Sequence, residues 1–143
     1  MTSSNQSVKA KLPNLCFIKP ESPGFESIDD VLAYYEAKVP GEQLLTRELL
    51  KQLPPMNTQR HAEDPIVPVR FFHAIYDWEA FPLEFDPDKL VFWGLVNGNG
   101  PDFGYFDIEY LDGLMCPAGI LGVERDLSFE KRRISAVIDD LFH

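Results

Sequence analysis

Between Phe71 and Glu124 the chain has almost no positive charge: ten acids stand against one base, Lys89. Such a stretch repels nucleic-acid phosphates and anionic membranes, so direct nucleic-acid or membrane binding is not expected. Cysteine is scarce as well. Cys16 and Cys116 lie a hundred residues apart and match no metal-ligand spacing. They imply reduced thiols in a cytoplasmic protein rather than a disulfide framework. No apolar run is long enough to span a bilayer, and the polar start Met1–Ser7 predicts no signal peptide. Histidine is limited to His61, His73 and His143, none at i, i+4 from a second ligand. No metal site and no cofactor follow from them.

What is present suffices for a core. Apolar residues make up 45% and aromatics 13% of 143 residues, and a domain of that length buries roughly 70% of its unfolded surface. The net charge of −10 is uneven, because residues 1–20 carry Lys9, Lys11 and Lys19 and no acid. The remainder therefore carries 10 bases against 23 acids. Such a surface is explained most simply by solvation; its sharper reading is a face that docks on a basic partner.

Residues 1–26 are polar and then Pro-punctuated, an irregular segment in which Leu12–Ile18 could supply an edge strand. Ser27-Ile-Asp-Asp30 has the form of a capping box, with Ile28, Val31, Leu32 and Tyr35 recurring at helical spacing until Pro40-Gly41. Thr46 opens a second helix, closed by Pro54-Pro55. The β-type stretches are 67–75, 78–85 with Pro82 signalling an edge or a bulge, 90–96, and 103–107. Asn97-Gly-Asn-Gly100 predicts a hairpin between the last two. A short helical turn over 108–115, a last strand over 127–130, and a helix carrying Ile134, Val137, Ile138 and Leu141 complete the pattern.

The fold class expected is α+β: one domain, with a central antiparallel sheet of four or five strands and helices near 28–38, 47–53 and 133–142. Within 27–143, residues 27–43 form a helical extension, 44–130 the main body and 131–143 the closing helix. Phe71, Ile75, Phe92, Leu95, Tyr105, Ile108, Leu127, Val137 and Leu141 are the expected core.

No catalytic constellation stands out. Gly98-x-Gly100-x-x-x-Gly104 resembles a dinucleotide loop only superficially, because Pro101 and a β-type run follow where a helix must begin. His73, in an apolar strand, is expected to be partly buried and satisfied, and Cys116 has no neighbouring base to activate it. The clusters Glu84-x-Asp86-x-Asp88 and Asp107-x-Glu109-x-x-Asp112 fit no EF-hand. Arg125, between Glu124 and Asp126, is expected to pair with an acid or to anchor the preceding loop. Strand alternation should turn Glu79, Glu84, Asp86 and Asp88 to water, with Asp107, Glu109 and Asp112 nearby and Lys89 as internal counterion. Tyr76 and Trp78, at a turn, are candidate aromatic anchors.

Leu44-Leu-Thr-Arg-Glu-Leu-Leu-Lys-Gln-Leu-Pro-Pro, Pro65-Ile-Val-Pro-Val-Arg-Phe-Phe with Trp78, Phe92-Trp-Gly-Leu-Val, Phe103-Gly-Tyr-Phe and Val123-Glu-Arg-Asp-Leu-Ser-Phe together resemble the bacterial domain-of-unknown-function family 2958, over about residues 44 to 130. That resemblance implies a small standalone protein carried on plasmids, integrative elements and phages, and supplies no catalytic residues. The N-terminal extension and Met115-Cys116-Pro117 depart from the family pattern. The functional expectation is a non-enzymatic binding protein of a mobile element, in its concrete form a counter-defence inhibitor. It would occupy a basic, nucleic-acid-binding surface of a bacterial or viral protein through Glu79, Glu84, Asp86, Asp88, Asp107, Glu109, Asp112, Tyr76 and Trp78. The alternatives are a small hydrolase using the acid clusters with a divalent metal, and a structural accessory that oligomerises through its N-terminal helix and tyrosines.

Overall fold

Both N-terminal helices begin where their hydroxyl residues predict. The Ser27 hydroxyl accepts from the Asp30 amide, opening α1 (Ile28–Glu36), and Thr46 accepts from the Leu49 amide, opening α2 (Arg47–Gln52). Asp30 reaches back one residue further than a capping box requires, to the Glu26 amide. The computed structural model describes residues 17–18, 24–73, 76–115 and 122–142. Along them, strands β1 (Phe17–Ile18), β2 (Ile66–Val67), β3 (Phe71–His73), β4 (Glu79–Asp86), β5 (Val91–Asn97) and β6 (Pro101–Asp107) precede α3 (Ile108–Gly113). Then come β7 (Leu114–Met115), β8 (Val123–Arg125), β9 (Arg132–Arg133) and α4 (Ile134–Leu141).

The centre is a five-stranded antiparallel sheet of order β6-β5-β4-β3-β8, flanked by the two-stranded pairs β1–β7 and β2–β9. The α+β class and the antiparallel sheet are as expected. The hairpin between β5 and β6 closes through residues 98–100, with Gly100 at φ 106°, which a residue with a Cβ rarely adopts. The run 67–75 splits in two, since Pro68 cannot donate to a ladder, and only Leu12–Ile18's last two residues are described, as β1.

Apolar layers cover both faces of the sheet. One packs Phe71, Phe85, Phe92 and Phe106 against Val31, Leu32 and Tyr35 of α1 and Leu49 of α2. The other packs Phe81, Leu83 and Leu95 against Val67 and against Ile134 and Val137 of α4. Phe92 and Leu95, three residues apart on one strand, therefore anchor opposite layers. This double coverage leaves β4 buried from Ala80 to Phe85, where a half-exposed strand was expected.

Three expected core positions differ. Leu127 is 60% exposed, and no strand spans 127–130. The Asp126 carboxylate accepts from both the amide and hydroxyl of Ser128, closing a tight turn with Leu127 at its tip. Phe129 turns inward instead, against Phe81. Tyr105 is only half-buried, under the Arg60 guanidinium, and Leu141 lines the rim of the second layer. Ile75 and Cys116 lie outside the described residues.

Candidate functional site

The turn after β4 is built by Asp86. Its carboxylate accepts from the Asp88 and Lys89 amides, and Leu90 ends the turn at φ 59° with its side chain in the core. The register places Asp86, Val91 and Asp107 in one row across β4, β5 and β6. Residues in one row point to the same face, so the two carboxylates flank Val91, about 10 Å apart. Asp107 accepts from the Tyr110 amide at the start of α3. Glu109, on α3, accepts from the Phe25 amide, and Asp112 accepts from the hydroxyls of both Tyr34 and Tyr35 at 2.9 Å. Burial, and then the neighbouring Asp112 carboxylate, raise the pKa of both tyrosines well above the ordinary phenol value. Asp86, Asp88, Asp107, Glu109 and Asp112 thus gather at one end of the sheet, where α3 clamps α1.

The other two acids do not join them. Glu79 lies at the far end of β4, opposite Asn97, and is held by Arg70 Nε at 2.8 Å and by the Asn97 side-chain amide. Arg70 also binds Asp126, whose carboxyl burial pushes upward but whose bonds to Ser128 and Arg70 hold below the usual range. Glu84, expected to face water, is fully buried. The register of β4 shifts between Pro82 and Glu84, a bulge that reverses the alternation and turns Glu84 to the α4 side. Gly94 stands opposite, where an added Cβ would lie 2.2 Å from the Phe81 carbonyl oxygen. Pro82 is tolerated in this interior strand because β3 pairs only as far as Ala80.

Around Glu84 a second, unforeseen arrangement forms. Its carboxylate accepts from the amides of Asn57 (2.8 Å) and Gln59 (2.7 Å) and meets Arg60 Nε at 3.4 Å. Asn57 takes φ 70°, a conformation that asparagine tolerates better than most residues. The Arg60 guanidinium lies over the rings of Trp93 (4.5 Å) and Tyr105 (4.9 Å), and Trp93 stacks on Phe103 at 5.3 Å. Beside this platform a cavity of about 350 Å³ opens between the sheet, the 59–65 loop and Ile134. In sequence, only the parity of Trp93 with Leu95 and of Phe103 with Tyr105 hinted at such a face. Nothing local pointed to Arg60.

The aromatic turn is also divided. Tyr76 is half-buried, its amide donating to His73 Nδ1 and its ring tilted on the imidazole. Trp78 is only 3% exposed and packs in the first layer, because it shares the parity of Ala80, the first core residue of β4. It is therefore no surface anchor. His73 is buried more deeply than the partial burial expected, and burial lowers its pKa. Arg125 anchors a loop: it donates to the carbonyls of Gln43 (2.8 Å) and Pro40 (3.2 Å), covering the β8 edge, while the preceding loop expected as its partner lies outside the described residues. Among the described residues no group of three His, Cys, Asp or Glu side chains is placed to hold a metal, and no helix is long and apolar enough to cross a membrane.

The fold and these surfaces define a small α+β protein whose acids are in large part structural acceptors. The chain belongs to a family of proteins of unknown function, DUF2958, whose model matches residues 44–140 and so takes in both the bulged sheet and α4. No curated protein and no solved structure matches it.

Proposed function

We propose that this chain is a non-enzymatic binding protein that docks its acidic end onto a basic surface of a partner protein. The observation that carries the reading is the convergence of Asp86, Asp88, Asp107, Glu109 and Asp112 around one turn and one short helix. Asp86, Asp107, Glu109 and Asp112 each accept from backbone amides or tyrosine hydroxyls, which hold the carboxylates in place at this end. The specific form is a counter-defence inhibitor of a bacterial mobile element or phage that covers a nucleic-acid-binding surface. That setting rests on what the family resemblance implies.

The test is a double variant, Asp86→Asn with Asp88→Lys, which removes charge while keeping an oxygen to accept the turn amides. Wild type should capture basic proteins from a bacterial lysate at low salt and lose them as the Debye length falls below about 10 Å at 0.1 M. The variant, with an unchanged melting curve, should capture far less. Equal capture by both would reject the acidic end as the docking surface.

A further inference from the structure

Strand β6 is an edge of the central sheet, and among the described residues no strand pairs with its outer side. The opposite edge, β8, is covered by the segment that Arg125 fastens. On β6, Phe103 is 45% exposed, stacked on Trp93 at the mouth of the cavity that Leu83, Pro65 and Ile134 line. An exposed aromatic beside an apolar socket and an open strand edge are the two parts that strand addition uses: main-chain hydrogen bonds from the edge, and a pocket for alternate side chains. The platform is held before any partner arrives, because Glu84 fixes Arg60 from beneath and Arg60 covers Trp93 and Tyr105. Little ordering is then lost on binding.

We propose that a partner's extended segment adds to the outer edge of β6 and inserts an apolar side chain into the cavity beside Trp93 and Phe103, with basic residues flanking it. The flanking charge follows from the surroundings. Glu63 lines the cavity, the charge of Arg60 is matched by Glu84, and the chain as a whole carries a net charge of −10. A second copy is disfavoured as the occupant, since it would bring its own net charge of −10. This inference deepens the binding-protein reading and places contacts on a different surface from the acidic end.

The probe is a library of random twelve-residue peptides displayed on phage and selected against the full chain. The expected outcome is enrichment of alternating sequences with an apolar residue between lysines or arginines. A synthetic enriched peptide should bind at least ten-fold more weakly to Phe103→Ser, and ten-fold more weakly when alternate peptide amides are N-methylated. Because Phe103→Ser could disturb the fold, amide chemical shifts of the unaltered protein supply a second readout: Asp102, Phe103, Gly104 and Tyr105 should move on titration. No enrichment, or shifts confined to Asp86–Asp88 and α3, would overturn the edge proposal; the second result would leave the acidic-end reading standing. A dimer in sedimentation that Phe103→Ser dissociates would show a second copy in the groove and equally overturn it.

Discussion

Glu84 shows how far one bulge can carry a residue from its expected place. With its carboxylate removed, the amides of Asn57 and Gln59 and the Arg60 guanidinium lose their buried acceptor. Glu84→Ala should therefore cost about 2–4 kcal/mol in urea unfolding, within the range for leaving buried donors or a charge unpaired. A change to lysine there, harmless on an exposed strand, should prevent folding, because it would bury an ammonium beside Arg60. Asp88, exposed in its turn, should tolerate lysine within about 0.5 kcal/mol. A small effect of Glu84→Ala would mean that the 56–60 loop is held by something other than this carboxylate. Gly94 makes the complementary case: its alanine variant must push the Phe81 carbonyl away, and a lowered melting temperature is expected.

At the scale of elements, caps and periodicities were legible and pairings were not. Thr46→Ala should cost α2 about 1 kcal/mol, as hydroxyl caps generally do. The apolar run along β5 identified Phe92 and Leu95 as core but not the two separate layers they serve. Truncating either to alanine should cost about 2–5 kcal/mol. Since they share no layer, the double variant should be close to additive, and a coupling above about 0.5 kcal/mol would argue that the layers communicate. The strand expected over 127–130 is a turn at its start; in sequence, the apolar Leu127 and Phe129 outweigh the local signal of an Asp two positions before a Ser. That signal belongs to a turn.

For the whole molecule, acid should weaken the fold in two stages. His73 is kept neutral by burial, so its folded pKa lies below the ordinary 6.5. The unfolded chain then binds more protons, and the stability this histidine contributes is present above that value and lost as pH falls through the folded pKa. His73→Asn, whose side-chain oxygen can still accept from the Tyr76 amide, should flatten urea midpoints measured between pH 6.5 and 5. The second stage comes from Asp126 and Asp64. Bonds to Ser128 and Arg70 lower the first against the effect of burial, and the Ser135 hydroxyl and amide lower the second. Their contribution is present above about pH 4 and disappears as pH falls below it. A midpoint that stays level down to pH 3 would contradict both assignments.

The sequence by itself determined the α+β class, the helix starts, the hairpin at Asn97–Pro101, most of the apolar core and the uneven charge. Each of these depends on residues close along the chain, through period, cap or turn chemistry. The tertiary structure decided which acids reach the surface. Glu84 lies under a loop contributed by residues 56–60, Glu79 is claimed by Arg70, and Asp112 by tyrosines nearly eighty positions earlier. Those partners are fixed only when both faces of the sheet are covered, and alternation along one strand holds no record of what lies above it.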